Sequence, residues 1–157
     1  MLKTSQIEAI FGRPGDDRNL ITVLMPYPRR IEFIKDFPIT KRMQCHKLVA
    51  PIFQKIHTEI LSHYGLPEIQ ELGIDLFGGC YNFRKMRGGT DWSRHSWGIA
   101  EDLYSKKNGL QTKWKDALFS EKEYAPMVDI YYANGFVNQG IEKGSDGMHW
   151  EFLKFIK

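Results

Sequence analysis

The chain has 157 residues, a length typical of a single domain, and its 22 basic and 19 acidic residues give a net charge of +3. Hydrophobic residues make up 42% and charged residues 26%, which excludes wholesale disorder and allows a core without disulfide or metal support. The basic residues form no long run, so the charge alone does not indicate nucleic-acid binding. The longest stretch without charge, 130–141, is too short to span a bilayer.

The cysteine content and the N-terminal segment restrict the class of protein and its compartment. The two cysteines, Cys45 and Cys80, exclude a disulfide-rich scaffold and a zinc site made only of thiolates, and a single disulfide between them stays open. Glu8 interrupts the apolar character of the N-terminus, so the sequence predicts no secretory signal peptide. We therefore expect a protein that is cytoplasmic until it is released, or one that becomes extracellular by a signal-independent route.

In the first half of the chain, the clearest element is a long helix. Residues 1–42 contain four prolines and are expected to form an irregular extension packed on the domain, apart from a predicted strand over the apolar run 20–25. Apolar residues at a 3.6-residue period predict the helix over 43–64. Gly65 is its expected end, and Pro51 marks either a kink or the true start.

The second half alternates between strand and helix patterns. Four short strands are predicted, over 74–83, 97–104, 136–138 and 148–155. A glycine-rich, basic loop over 84–94 lies between the first two of them. Ser120 and Glu123 have the spacing of a capping box, which predicts a helix up to about Asn134. Because no linker interrupts the chain, we expect one α+β domain over 1–157, with a small antiparallel sheet and flanking helices.

The five histidines fall into two groups. His46, His57 and His63 lie in the predicted long helix with no acidic residue at ligand spacing, so we interpret them as solvated or capping side chains. His95 and His149 each lie close to a glycine, a tryptophan and a carboxylate in the sequence. This second pair is the starting point for a candidate site.

Zinc catalysis requires three protein ligands, an open position for water and a nearby carboxylate that acts as general base. Two segments, 93–102 and 146–151, contain suitable ligands: His95, Asp102 and His149. Either Asp146 or Glu151 would be the base. Two surface histidines near ordinary acidic residues are the alternative interpretation of the same pattern.

The pattern S-x-H-x-x-G-x-A-x-D occurs at Ser93, His95, Gly98, Ala100 and Asp102. It resembles the signature of the D-alanyl-D-alanine carboxypeptidase family of zinc peptidases, which includes vancomycin-resistance D,D-peptidases and the L-alanyl-D-glutamate endolysins of phages. The run from Asp146 to Glu151 resembles the second signature of that family, an acidic residue three positions before a histidine that an aromatic residue follows. The resemblance covers residues 72–155 well and residues 1–70 only in general layout.

The resemblance implies a hedgehog/D,D-peptidase-like fold and a Zn²⁺ ion bound by His95, Asp102 and His149. It implies that Asp146 is the general base, because this residue occupies the family's base position, and that Glu151 has a supporting role. The implied function is hydrolysis of the peptide stem of bacterial peptidoglycan by metal-activated water. The endolysin branch, an L-Ala–D-Glu endopeptidase, is the nearest match, and a D-alanyl-D-alanine carboxypeptidase of the same family is the alternative.

The basic loop supplies candidate substrate contacts. In the resembling family an arginine from this region lines the active site, and a guanidinium group suits a peptide carboxylate or a developing oxyanion. We assign this role first to Arg84 and second to Arg87, with solvated loop arginines as the alternative. Ser93 is a further candidate for a contact with substrate or with a ligand side chain, and a turn serine is its alternative.

Two other classes of function fit parts of the sequence. A non-catalytic module that binds cell-wall peptides would use a similar cleft, but the complete set of candidate ligands and base argues against it. A nucleic-acid-binding protein would suit the basic balance, yet the basic and aromatic residues are dispersed along the chain. The expected partner is therefore the peptidoglycan stem peptide, with no nucleic acid and no membrane span.

Overall fold

The computed structural model describes residues 2–153, which fold into one mixed sheet with helices around it. The strands are β1 (Leu20–Ile31), β2 (Ile39–His46), β3 (Leu76–Gly79), β4 (Ala100–Leu103), β5 (Phe136–Asn138) and β6 (His149–Phe152). The helices are α1 (Thr4–Phe11), α2 (Ala50–Tyr64), α3 (Leu66–Glu71), α4 (Ser105–Asn108), α5 (Ala125–Ala133) and α6 (Gln139–Lys143). The predicted α+β class is confirmed.

The sheet has the strand order β2-β1-β3-β4-β6-β5. All neighbouring strands are antiparallel except β1 and β3, which are parallel. The chain leaves the hairpin of β1 and β2, passes through α2 and α3, and adds β3 on the other side of β1. Because β2 runs opposite to β1 and β3 runs opposite to β2, β1 and β3 are parallel. The expected antiparallel sheet is therefore corrected to a mixed one.

The prediction that residues 1–42 are irregular is wrong, because α1, β1 and the start of β2 lie there. The prolines do not prevent the long strand β1. Its register with β2 shifts between Leu24 and Arg29, the segment that contains Pro26 and Pro28. Proline has no N–H group to donate to a neighbouring strand. The register shift therefore falls at the segment where two residues cannot form the regular hydrogen bonds of the sheet.

The predicted long helix is shorter than expected. Residues 43–46 belong to β2, and the helix α2 begins at Ala50 with Pro51 in its first turn. Proline is tolerated there because the first N–H groups of a helix have no intrahelical acceptor. Gly65, with a φ of 75°, ends α2 as predicted.

Two other predicted boundaries also move. Ser120 does not cap a helix, because its hydroxyl donates to the carbonyl of Ala117 and α5 begins at Ala125. The last predicted strand, 148–155, is β6 over His149–Phe152 in the part that the structure describes, and its remainder from residue 154 lies outside the described residues.

A charged network lies in the core beneath the middle of the sheet. The buried guanidinium of Arg29 donates to Glu101 at 2.8 Å, and Glu101 also accepts hydrogen bonds from Nε2 of His57 at 2.8 Å and the hydroxyl of Tyr131 at 2.6 Å. Tyr27 lies 2.6 Å from the other nitrogen of His57. Burial raises the pKa of Glu101, but His57, Arg29 and Tyr131 together lower it to about 2.

This network corrects the interpretation of the helical histidines. His57 is fully buried and bonded to an acidic residue 44 positions away, so it is neither solvated nor capping. His46 lies in β2, is buried, and has its Nε2 atom 2.9 Å from the carbonyl of Phe11. His63 alone of the three is exposed.

Two further expectations concern cysteines and membranes. Cys45 and Cys80 are both buried free thiols, so the disulfide that the sequence left open does not form in the described chain. Among residues 2–153, no helix combines the length and the hydropathy that a bilayer crossing requires.

Candidate metal centre

The pairing of β4 with β6 places two predicted ligands side by side. Asp102 pairs with His149, and Glu101 pairs with Trp150. Because successive side chains of a strand point to opposite faces, Asp102 and His149 share one face of the sheet. Glu101 and Trp150 share the other face, where they meet α2 and α5. The same register thus builds the candidate site and the core network on opposite sides of the sheet.

The third predicted ligand, His95, comes from a 3-10 turn over Arg94–Trp97. Ser93 begins the turn, and its hydroxyl accepts the backbone N–H of His95 at 3.3 Å. Gly98 ends the turn with a φ of 68°, and a Cβ atom there would lie 2.8 Å from the backbone nitrogen of His46. Only glycine fits this close contact with β2, so the turn is held firmly against the sheet.

The three predicted ligands converge on one point. Nε2 of His95 and Nδ1 of His149 each lie 3.2 Å from Oδ1 of Asp102, and the three ligand atoms all lie within 4.8 Å of one another. His95 is buried, and the other two side chains are partly buried. This group could hold a metal ion.

The outer nitrogens of the two imidazoles are also anchored. Nδ1 of His95 lies 2.6 Å from the carbonyl of Cys80, and Nε2 of His149 lies 3.1 Å from a carboxylate oxygen of Glu151. An N–H donated outward at each ring leaves the inner nitrogen with a lone pair directed at the shared space, as in metal-ligating histidines. Nε2 of His95 is buried and lacks a hydrogen-bond partner within the described chain. The residues present therefore fit a bound cation.

The electrostatics of the group lead to the same conclusion. Burial raises the pKa of Asp102, but the charges of His95 and His149 and the hydrogen bond with His149 hold it well below its usual range. Burial lowers the pKa of His149, yet hydrogen bonds to Asp102 and Glu151 raise it to about 10. Two carboxylates on either side of one imidazole thus favour a positive charge at its position. A metal ion bound here would compete with that proton.

Asp146 lies in the loop that leads into β6 and lines the same cleft as Asp102 and His149. Its φ of 71° is unusual for a residue other than glycine, and such strained positions concentrate at functional sites. Its Oδ1 atom is buried and finds no hydrogen-bond partner among residues 2–153. Burial raises the pKa of Asp146, and the charge of Asp102 adds to this increase while His149 opposes it.

The two carboxylates Asp146 and Glu151 differ in their contacts. Glu151 is buried and contacts the outer nitrogen of His149, with the guanidinium of Arg94 4.0 Å away. It lies on the far side of the imidazole from Asp102, so it orients His149 and holds its charge. Asp146 and Glu151 both line the cavity, and each has one buried carboxylate oxygen without a hydrogen-bond partner among the described residues. The difference between them is that Glu151 contacts the outer nitrogen of His149.

Two cavities of different volume adjoin the group of His95, Asp102 and His149. A cavity of about 220 Å³ is lined by Asp102, Asp146 and His149, and its other lining residues include Arg84, Arg87, Ser93, Gln139 and Lys143. A second cavity of about 320 Å³ is lined by His95 and by Phe33, Tyr81 and Asn82, and it shares Arg84 and Asp102 with the first. Asp102 and Arg84 therefore border both cavities.

All the candidate site residues from the sequence line one or both cavities. Arg84 is half-buried with its guanidinium donating to the carbonyl of Lys85 at 3.2 Å, and Arg87 is exposed at the rim. Ser93 lines the cleft and also caps the turn that carries His95. The turn role that the sequence offered as an alternative for Ser93 is therefore present.

Sequence reasoning missed several contributors to the site. The carbonyl of Cys80 is a backbone group, which no residue pattern reveals. The position of Arg94 beside Glu151 can be recognised only when the fold is known, because the two residues are far apart in the sequence. Gln139 and Lys143 had one available signal, since residues four apart on a helix share a face, but nothing in the sequence placed that face in the cleft.

In comparisons with known proteins, the chain matches no family model, no curated protein and no solved structure.

Proposed function

We propose that this protein is a zinc-dependent peptidase that cleaves the peptide stem of bacterial peptidoglycan as an L-Ala–D-Glu endopeptidase. One observation carries the proposal: the inner nitrogens of His95 and His149 and the carboxylate of Asp102 converge within 4.8 Å, beside Asp146 in an open cleft. The substrate class comes from the resemblance of the two segments that supply these residues to the signatures of that peptidase family.

The donor set suits zinc. Two imidazole nitrogens and one carboxylate oxygen are ligands typical of catalytic zinc sites, in which a further position stays open. A zinc ion held by His95, Asp102 and His149 would supply Lewis acidity, which lowers the pKa of water and polarises a carbonyl group. Glu151 and the carbonyl of Cys80 would keep the two imidazoles in the required orientation.

The proton transfers are assigned to Asp146. Its carboxylate accepts a proton from the attacking water and returns one to the leaving amine. Burial raises the pKa of Asp146, which moves this group towards the pH at which an acid and base catalyst is most effective. Arg84, at the junction of the two cavities, is assigned the role of donating hydrogen bonds to the oxyanion that forms at the scissile carbonyl.

The shape of the cleft supports an endopeptidase. Two cavities adjoin Asp102, and together they give room for substrate residues before and after the scissile bond. A carboxypeptidase needs to bind only one terminal residue beyond that bond. For this reason we favour the L-Ala–D-Glu bond over the terminal D-Ala bond.

Mass spectrometry of purified sacculi tests the proposal. Sacculi are incubated with the zinc-loaded protein, and a chelated sample serves as the control. New fragments that disappear on chelation support a metal-dependent peptidase, and their masses identify the bond. Unchanged sacculi that nevertheless retain the protein would contradict the proposal and indicate a binding module.

The variant D146N tests the base. Asparagine tolerates a positive φ, so the loop keeps its conformation while the carboxylate is lost. We expect zinc binding to persist and the cleavage rate to fall by about 10²- to 10⁴-fold. The matched control is D129N, which alters an exposed aspartate on α5. A D146N protein with the wild-type rate would show that the base is assigned wrongly.

A further inference from the structure

The side chain of Gln139 is an unusual feature of the cleft wall. Gln139 is 6% exposed, and its Oε1 atom is buried without a hydrogen-bond partner in the part of the chain that the structure describes. The residue lines the same cavity as Asp102, Asp146 and His149. A buried acceptor that lacks a donor costs free energy, and a ligand in the cavity that brings a donor would recover it.

The surroundings hold the backbone that carries Gln139 in place. Asn138, fully buried at the start of α6, donates to the carbonyl of Gly147 at 2.8 Å and accepts from the backbone N–H of Gly140 at 2.8 Å. A Cβ atom at Gly140 would lie 2.5 Å from the ring of Trp114. These contacts fix the first turn of α6 against the loop that carries Asp146.

The neighbouring charges narrow the class of ligand. Lys143 lies four residues after Gln139, on the same face of α6, and lines the same cavity. Arg84 and Arg87 also line it. A ligand that satisfies these groups offers an N–H donor to Gln139 and negative charge to the cationic side chains. A peptide that carries a free carboxylate close to a backbone amide has both features.

We infer that Gln139 is a substrate-binding residue whose Oε1 atom accepts a backbone N–H of the bound peptide beside the metal group. The inference rests on the proposed peptidase function and adds a contact that orients the substrate backbone along α6. Because the contact is to a backbone N–H group, it selects an amide over an ester, which has no hydrogen to donate at that position.

Binding measurements on an inactive protein test the contact without catalysis. A synthetic stem pentapeptide is titrated calorimetrically into zinc-loaded D146N and into the same protein with Q139M added, because methionine fills the space of glutamine but accepts no strong hydrogen bond. We expect about tenfold weaker binding with Q139M, as for one lost hydrogen bond. The control is Q44M, an exposed position on β2 at the far edge of the sheet.

A set of pentapeptides, each with one N-methylated amide, identifies the partner. One N-methyl group should weaken binding about tenfold when Gln139 is present and have little effect with Q139M. Q139E keeps an acceptor oxygen and should still bind the N-methylated peptide more weakly than the unmodified one. This variant also provides a test if Q139M does not fold. Equal affinities with and without Gln139 would overturn the inference alone, and would indicate that a water molecule satisfies Oε1. No pentapeptide binding by D146N would overturn the proposed function as well.

Discussion

Replacement of Glu101 by glutamine tests the core network that lies directly behind the candidate metal centre. Glu101 and Arg29 are both 0% exposed and form a 2.8 Å ion pair. The E101Q change keeps the shape of the side chain but leaves the Arg29 guanidinium buried without an anion. Removal of one partner of a buried ion pair costs about 3–5 kcal/mol of the free energy of unfolding. We expect a loss in that range.

The pH dependence of the wild-type protein gives an independent measure of the same interaction. The pKa of Glu101 falls from an ordinary value of 4.5 to about 2 in the folded state. A carboxyl with a depressed pKa stabilises the fold above the unfolded value and loses that contribution as pH falls through the folded value. The loss between pH 4.5 and pH 2 amounts to about 3 kcal/mol. E101Q should lack this part of the acid sensitivity.

Urea unfolding followed by tryptophan fluorescence measures both effects. Trp150 stacks on Tyr131 with ring centroids 4.1 Å apart, and Tyr131 donates to Glu101, so the probe lies next to the change. The control is E8Q, at an exposed position on α1, where we expect a change within about 0.5 kcal/mol. A loss below about 1 kcal/mol for E101Q would refute the reasoning that the buried charges depend on each other.

Two further changes probe the site itself. E151Q weakens the acceptor for Nε2 of His149 and should reduce zinc affinity by about 10- to 100-fold, measured by competition with a chelator of known affinity. An unchanged affinity would show that Glu151 does not orient the ligand. G98A introduces a Cβ atom 2.8 Å from the backbone nitrogen of His46 at a φ of 68°, and we expect a loss of about 1–3 kcal/mol in urea unfolding together with weaker zinc binding. A G98A protein as stable as the wild type would contradict the close packing of the turn.

Local sequence patterns predicted the structure correctly where residues adjacent in the sequence determine it. Gly65 ends α2 because a positive φ is needed there, and Pro51 lies in the first turn because proline would break the helix further along. The same patterns failed over residues 43–46, which the predicted helix includes but which pair with β1. A ladder of long-range hydrogen bonds overrode the local preference, and no sequence window contains its partner strand.

For the candidate site, the sequence determined the chemistry and the tertiary structure determined the arrangement. The candidate ligands His95, Asp102 and His149 could be selected from two short segments, because their residue types suit metal binding. The choice of Asp146 over Glu151 as the base came from the family resemblance. The antiparallel register of β4 and β6 decided that Asp102 and His149 face each other.

Only the fold could show which groups support those residues from a distance in sequence. His57 meets Glu101 across 44 positions, and the Oε1 atom of Gln139 is buried beside the site without a partner from the described chain. Such groups carry no local signature, since burial and long-range contact arise only when separate segments pack together. The identity of the candidate ligands is therefore a property of the sequence, whereas their protonation, orientation and surroundings are properties of the packed sheet.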